Sequence, residues 1–256
     1  PEYNGYKVYG PDSGQIIPEI ADRVIAHINR IKDYSLIKRF DCPTAVQKGL
    51  FNIIGPEVDE VYLRKVKELA IRDKDRVEID KNIKIVYTPL HGAGNIPIRR
   101  ILKERGFTNV FVVEEQVTPD PDFSTVESPN PEYPAAFELA IKLGKKVNAE
   151  ILIATDPDSD RIGMAVRNPI CHCEERSDAA IPTHHNQYTV LNGNQVGILL
   201  LYYILSSKKE LNNLPPNGFI VKTVVTSDMS RIIADSFNVD TYETLTGFKF
   251  ICHEVK

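Results

Sequence analysis

The sequence predicts an α/β protein made of layered α/β/α domains with mixed sheets, one domain complete and a second one partial. Short β-branched runs at residues 83–87, 110–113 and 150–154 alternate with stretches whose apolar residues recur at helical spacing. The same alternation begins again after about residue 187. The 256 residues, of which 42% are hydrophobic, exceed the usual size of one domain and can bury one large core or two modest ones.

Each helix is predicted from apolar residues spaced three or four apart, and each strand from a short β-branched run. Ile20, Val24 and Ile28 form such a stripe behind Pro18, which suits the first turn of a helix. Gly106 can adopt the left-handed conformation that ends a helix. In chain order, the predicted elements are helices over residues 18–31 and 59–72, a strand over 83–87, a helix from 98 to 106, a strand over 110–113, a helix over 134–146, a strand over 150–154, a helix around 196–203, a strand over 219–225, a helix over 227–237 and a strand over 239–243.

The composition argues against a nucleic-acid or membrane partner. The 31 basic and 35 acidic residues leave a formal charge of −4, so no global basic field attracts anions. No apolar run approaches the roughly 20 residues that cross a bilayer, and the N-terminus lacks a basic-then-apolar export signal. The four cysteines are too unevenly placed for a disulfide framework. We therefore expect a soluble cytoplasmic protein with reduced thiols, which binds any anionic substrate in a local pocket.

The most informative motif is a set of three aspartates at alternate positions, directly after the strand predicted over residues 150–154. A turn at this point can bring the carboxylates of Asp156, Asp158 and Asp160 together. Three hard anionic oxygen ligands suit Mg²⁺, which commonly keeps coordination positions open for phosphate or water. The motif therefore predicts a Mg²⁺ site whose coordination shell a phosphoryl oxygen can complete.

Other interpretations of this motif stay open. A calcium EF-hand loop also begins with alternate aspartates, but it requires glycine where Arg161 stands and glutamate where Arg167 stands. A solvated turn of helix-capping aspartates needs no metal, although three unpaired carboxylates repel one another. Arg161 can neutralise charge on a transferring phosphoryl group, or it can serve as a counter-charge to the aspartates.

These residues resemble the α-D-phosphohexomutase family, which contains the phosphoglucomutases and phosphomannomutases. The metal loop of that family has the pattern D-x-D-x-D-R, which residues 156–161 match position for position. Residues 88–94 match its T-P-[LM]-H-G-x-G loop. Further matches lie at residues 1–8, which resemble the stretch after the phosphoserine loop, at 191–195, the entry into domain three, and at 246–249, a substrate-facing loop.

The resemblance implies a Mg²⁺-dependent enzyme with four domains around an active-site cleft. A phosphoserine in domain one donates phosphate to the sugar, the bisphosphate intermediate reorients, and the other phosphate returns to the serine. By this likeness residues 1–15 are the tail of domain one, residues 16–186 are domain two with an insertion at about 169–185, and residues 187–256 begin domain three. Because the chain starts at Pro1 and stops soon after a new segment begins, we expect it to be part of a longer protein.

The resemblance also implies catalytic roles for single residues. Asp156, Asp158 and Asp160 would hold Mg²⁺ next to the phosphoserine, and the ion would offset charge during transfer. Arg161 would act on the transferring phosphoryl group. Lys7 matches a lysine that serves in proton transfer beside the phosphoserine, although a solvated lysine on a strand is the ordinary alternative.

The implied substrate is a phosphosugar that Thr246, Gly247 and Lys249 would contact. The expected activity moves phosphate between the 1 and 6 positions of a hexose phosphate through a sugar bisphosphate. The alternatives are a phosphopentomutase, a phosphoglucosamine mutase, a non-catalytic metal- or phosphate-binding module, and a phosphatase-like domain with Asp156 as nucleophile. Since the phosphoserine loop and the later domains fall outside these residues, the chain alone is expected to be inactive and its sugar preference cannot be read.

Two further groups have weaker signals. His91 could act as an acid or base, or it could hydrogen-bond a tight loop whose backbone path the two nearby glycines permit. Residues 171–173, a Cys-His-Cys run, offer zinc ligands together with His184 and His185. Their spacing fits no common zinc module, so a solvated insertion is the alternative.

Overall fold

The computed structural model describes residues 7–72, 80–168 and 187–255. By contacts the chain divides into two compact units, one formed by residues 1–57 with 201–256 and the other by residues 58–200. Each unit has its own cluster of buried hydrophobic residues. Both clusters lie among strands and helices, and the predicted α/β class is confirmed.

The predicted helices and strands are all present, with shifted ends, and four elements were not predicted: α2, β4, β5 and α8. In the described residues the elements are α1 (Pro18–Ile28), α2 (Cys42–Gln47), α3 (Pro56–Glu68), β1 (Ile85–Thr88), α4 (Asn95–Glu104), β2 (Val110–Val112), α5 (Glu138–Val147), β3 (Ile151–Thr155), β4 (Ile162–Arg167), β5 (Tyr188–Leu191), α6 (Gly193–Glu210), β6 (Phe219–Thr223), α7 (Met229–Ser236), β7 (Asp240–Thr244) and α8 (Phe248–Glu254). Gly106 follows α4 with a φ of 88°, as the helix-ending role requires.

The larger sheet has five strands in the order β2-β1-β3-β4-β5. Strand β1 pairs in parallel with β2 and β3, whereas β4 pairs antiparallel with both β3 and β5. Helices α4 and α5 lie in the crossovers that the parallel pairs require. All four residues of β1 are buried, as expected for a central parallel strand. The sheet is therefore mixed, in agreement with the prediction.

The core of this unit fixes the edge of the sheet where the aspartates lie. Val86 of β1 and Leu152 of β3 are fully buried. Phe137, which directly precedes α5, and Ala140 within α5 are fully buried in the same cluster. Residues of β1 and β3 lie in register, and Thr88 pairs with Ala154. The loops that follow these two strands therefore leave the same edge of the sheet, where open α/β sheets place their ligands.

The smaller sheet belongs to the other unit and contains the parallel pair β6 and β7. Its buried cluster contains Leu205 of α6, Ala234 of α7 and Val239. Lys222 of β6 is buried, and its ammonium group donates to a carboxylate oxygen of Glu243 on β7 at 2.7 Å. Burying this lysine is tolerable because it is paired.

Helix α1 has the predicted amphipathic pattern, yet none of its residues is buried. Ile20, Val24 and Ile28 of its apolar stripe are between 38% and 47% exposed. The helix is thus confirmed, while its apolar face lacks cover from the residues that the structure describes. Among those same residues, no helix is both long and apolar enough to cross a membrane.

Candidate metal centre

The three aspartates lie in the loop that joins the antiparallel strands β3 and β4. Thr155 and Ile162 are paired across the hairpin, so residues 156–161 form its turn. The turn is closed by a hydrogen bond from the Ser159 N–H to the Asp156 carbonyl oxygen at 2.9 Å, with Ser159 at a φ of 59°. This turn converges the aspartate side chains, as the sequence predicted.

The donor set fits a divalent ion. One carboxylate oxygen from each of Asp156, Asp158 and Asp160 lies within 4.8 Å of the other two. Oxygen ligands at about 2.1 Å from Mg²⁺ lie about 3 to 4 Å apart, so the oxygens need to close by only a small distance. Asp156 is buried while Asp158 and Asp160 are exposed, which leaves one side of the group open to an outside ligand. Among the described residues, no other cluster of His, Cys, Asp or Glu side chains meets this criterion.

Arg161 pairs with the buried member of the group. Its backbone N–H donates to Asp156 Oδ1 at 3.0 Å, and its Nε donates to Asp156 Oδ2 at 2.7 Å. Its Nε also lies 3.7 Å from Asp160 Oδ1. Burial raises the pKa of the Asp156 carboxyl, while the hydrogen bonds and charge of Arg161 act in the opposite direction. The arginine is therefore a counter-charge to Asp156, one of its two predicted roles.

The fully solvated turn does not describe this loop, because Asp156 has no exposed surface. A buried carboxylate requires a cation or hydrogen-bond donors to stay charged. The guanidinium of Arg161 meets part of that requirement while its own side chain stays 48% exposed. The hairpin context also differs from an EF-hand, in which helices flank the loop on both sides.

The glycine-rich loop of residues 88–94 packs against the metal loop of residues 156–161. A Cβ on Gly92 would overlap the Cα and carbonyl oxygen of Pro157, and one on Gly94 would lie 2.5 Å from Ser159 Oγ. The Ala93 N–H donates to the Pro157 carbonyl oxygen at 2.9 Å. Gly92 is thus needed because the two loops touch there through their backbones, whereas Gly94 leaves room for the side chains around it.

His91 is held within the same glycine-rich loop. Its Nδ1 lies 2.7 Å from the Thr118 carbonyl oxygen, and its Nε2 lies 2.7 Å from Thr125 Oγ1. Leu90 and His91 adopt positive φ angles of 45° and 65°, which cost non-glycine residues roughly 1 to 3 kcal/mol each. Contacts to both ring nitrogens agree with the interpretation of His91 as a loop-bonding histidine.

Several polar residues of this region were not predicted as part of the site. The Tyr87 hydroxyl lies 2.9 Å from Thr155 Oγ1, directly before the first aspartate. Burial raises the pKa of Tyr87 to about 12, so this hydroxyl stays neutral at physiological pH. Gln116 is also buried and contacts Thr88. The sequence pattern around a polar residue does not predict such contacts, because they join segments far apart in sequence.

The other predicted site residues lie in the unit formed by residues 1–57 and 201–256. Lys7 and Thr246 are exposed, and Gly247 precedes α8 with a φ of 131°. The Lys249 ammonium group lies 5.1 Å from the centre of the Phe250 ring. The roles of these four residues stay predictions.

The insertion predicted over residues 169–185 falls outside the described residues. The same holds for the cysteines and histidines within it, so the zinc interpretation is not tested.

Comparison with known families decides the relationship. Residues 60–169 match the family model for phosphoglucomutase/phosphomannomutase alpha/beta/alpha domain II, and residues 192–256 match the model for alpha/beta/alpha domain III of the same family. The chain belongs to the phosphoglucomutase/phosphomannomutase family. The hairpin with the three aspartates lies in the domain II match, and Thr246, Gly247 and Lys249 lie in the domain III match.

Curated members of the family resemble the chain along its length. A phosphoglucomutase of Staphylococcus aureus strain MRSA252 is 33% identical over 100% of this chain and 42% of its own length. A phosphoglucomutase of Staphylococcus saprophyticus is 34% identical over 97% of this chain and 41% of its own length. The chain thus spans about two fifths of the length of these relatives.

Solved structures support the same fold. A Thermus thermophilus protein assigned to the phosphomannomutases has a TM-score of 0.63 and 19% identity, and the match covers 95% of this chain and 45% of that one. A phosphoglucomutase/phosphomannomutase family protein of Burkholderia thailandensis has a TM-score of 0.54 and 18% identity, over 77% of this chain and 35% of that one. Because both identities are below 20%, these matches show a shared fold and nothing more specific.

Proposed function

We propose that the chain is the metal-binding part of a phosphohexomutase, which transfers phosphate between the 1 and 6 positions of a hexose phosphate. The observation that carries the proposal is the convergence of Asp156, Asp158 and Asp160 oxygens within 4.8 Å on a hairpin of the family's domain II. The names of the curated relatives favour a glucose phosphate as substrate.

The proposed metal is Mg²⁺, because an all-carboxylate set of hard oxygen ligands with an open side suits this ion. When bound, the ion supplies positive charge that stabilises a phosphoryl group during its transfer. Asp156 anchors the site from the buried side, and Asp158 and Asp160 complete it from the exposed side. Arg161 holds Asp156 in place and contributes a second positive charge beside the phosphoryl group.

The remaining parts of the active site follow from the family likeness. We propose that a segment outside these 256 residues supplies the phosphoserine, with Lys7 as its proton-transfer partner. Thr246, Gly247 and Lys249 contact the phosphosugar. The proposed domain limits are residues 1–15, 16–186 and 187–256. The curated relatives are more than twice as long as this chain. We therefore propose that turnover requires their additional segments.

The direct test is transfer of label in the whole protein. Glucose 1,6-bisphosphate carrying ³²P should label a serine only when Mg²⁺ is present, and the Asp158→Asn protein should label far more slowly. A non-catalytic binding module would take up no label. Acid-labile label on Asp156 would instead support an aspartyl nucleophile, and either result would contradict the proposal.

The sugar is tested separately, by offering the whole protein different phosphosugars. Glucose 1-phosphate, mannose 1-phosphate, ribose 1-phosphate and glucosamine 1-phosphate should be supplied at equal concentrations, and the isomerised product measured for each. We expect the highest kcat/KM with a hexose phosphate. A preference for the pentose or the amino sugar would replace the hexose in the proposal and leave the metal site unchanged.

A further inference from the structure

A chain of hydrogen bonds connects three segments: residues 88–91, Gln116 and residues 118–125. The Thr88 hydroxyl accepts from the Leu90 N–H at 3.2 Å and donates to Gln116 Oε1 at 2.5 Å. Gln116 Nε2 in turn donates to Thr125 Oγ1 at 3.1 Å. The Gln116 carbonyl oxygen also accepts from the backbone N–H of His91 at 2.9 Å. Because Gln116 is 1% exposed, these contacts are made without competition from water.

The donors and acceptors of this chain determine the tautomer of His91. Its Nδ1 faces the Thr118 carbonyl oxygen, which can only accept, so Nδ1 carries the proton. In a neutral ring Nε2 then has no hydrogen and accepts, so the Thr125 hydroxyl, which itself accepts from Gln116, is its donor. Every group from Thr88 to Thr118 therefore has one consistent role as donor or acceptor.

This chain of hydrogen bonds ends where the glycine-rich loop meets the metal loop. His91 directly precedes Gly92, where Pro157 leaves no room for a Cβ. The next residue, Ala93, donates its N–H to the Pro157 carbonyl oxygen at 2.9 Å. Leu90 and His91 hold positive φ angles that bulky residues avoid unless the surroundings enforce them. The contacts of the His91 ring supply that enforcement.

We propose that His91 is a positioning residue, in the tautomer with its proton on Nδ1. With Thr88, Gln116 and Thr125 it holds residues 88–94 against residues 156–161, and so it sets the affinity of the three aspartates for a divalent cation. The part concerning affinity rests on the proposed function, whereas the part concerning the two loops rests on the hydrogen bonds alone. His91 acts through the loops and needs no contact with substrate.

The test compares Thr125→Val with Thr125→Ser in the 256-residue chain. Valine has nearly the shape of threonine but leaves Gln116 Nε2 and His91 Nε2 without their partner, whereas serine keeps the hydroxyl. We expect valine to speed amide hydrogen exchange about tenfold at Ala93 and Arg161, the donors to Pro157 and Asp156, and serine to leave it near wild type. Exchange at Leu152 in the centre of the sheet should not change.

A second readout is Mg²⁺ affinity by titration calorimetry of the same chains. The valine chain should bind Mg²⁺ about tenfold more weakly than the serine chain. Equal exchange at Ala93 and Arg161 in the two variants would overturn the positioning role. Failure of the wild-type chain to bind Mg²⁺ would instead overturn the proposed metal site, and with it the part of this inference that concerns affinity.

The tautomer provides a measurement that needs no variant to fold. Nitrogen-15 chemical shifts of the wild-type His91 ring should show a protonated Nδ1 and an unprotonated Nε2, with the signals assigned by their loss in His91→Asn. A purely space-filling histidine has no reason to adopt this one tautomer. A ring with its proton on Nε2, or an equal mixture of both tautomers, would contradict the proposal.

Discussion

Gly92 has a strict steric requirement at the point where the glycine-rich loop meets the metal loop. A Cβ at this position would overlap the Cα and carbonyl oxygen of Pro157, and backbone cannot move aside as a flexible side chain can. We expect Gly92→Ala to destabilise the chain by about 1 to 3 kcal/mol, measured from urea unfolding. Gly197 in α6 is the matched control, because nothing lies within 4 Å of its Cβ position. Gly197→Ala should be neutral or stabilise by up to about 1 kcal/mol, and equal losses in the two variants would refute the account of loop contact.

Residues that lie close together in sequence were the predictable part of the site. Alternate aspartates after a strand can converge within one turn, so their spacing alone suggested a shared cation. The pairing of Arg161 with Asp156 was one of two stated roles for the same reason. The partner of Thr88, by contrast, is 28 residues away, and only the packed fold brings Gln116 to it. A threonine or glutamine in a loop has no pattern that announces such a partner.

Strand β4 shows why some elements escape prediction. Its buried positions are Gly163 and Ala165, two small residues that do not produce the β-branched alternation by which strands are recognised. Gly163 is needed because a Cβ there would overlap the Pro131 carbonyl oxygen. Strand β5 is short and follows the predicted insertion, which interrupts the pattern of the hairpin. The long helices and the central strands were predictable because their apolar spacing is regular and uninterrupted.

The turn at residues 120–124 belongs to the loop that carries Thr118 and Thr125, and it has a measurable response to pH. Hydrogen bonds from the Ser124 hydroxyl and then from the N–H groups of Ser124 and Asp122 lower the pKa of Asp120 from 3.8 to about 2. Because the folded pKa is the lower one, these bonds stabilise the turn above the unfolded pKa, and this contribution is lost as the pH falls through about 2.

Removing the hydroxyl tests this assignment at the level of the turn. In Ser124→Ala, the titration midpoint of the Asp120 carboxyl should rise toward its ordinary value, as followed by NMR of the side-chain carboxyl carbon. Ser236→Ala, which removes a hydroxyl bonded to a carbonyl oxygen in α7, is the control and should leave that midpoint unchanged. Equal Asp120 midpoints in Ser124→Ala and wild type would show that another group lowers the pKa.

For the molecule as a whole, the predicted family is confirmed by two family-model matches. The predicted fold class is confirmed by the sheets and helices of the chain and agrees with a TM-score of 0.63 to a solved structure. The regular alternation of strands and helices made the class predictable, and the motifs at residues 88–94 and 156–161 made the family predictable. Substrate choice was not predictable, since the chain spans about two fifths of its curated relatives. The roles of Lys7 and of Thr246, Gly247 and Lys249 depend on those relatives' other segments and stay proposals.

The measurement that tests the central claim most directly is calorimetric titration of the chain with Mg²⁺. We expect one ion per wild-type chain and at least roughly tenfold weaker binding for Asp158→Asn, because one of three anionic ligands is removed. Asp158 is exposed, so its substitution should change the free energy of unfolding by less than about 0.5 kcal/mol. Asp122→Asn, a neutralised exposed aspartate outside the metal loop, should bind like wild type. Equal Mg²⁺ affinity in wild type and Asp158→Asn, with both folded, would contradict the claim that these aspartates hold the ion.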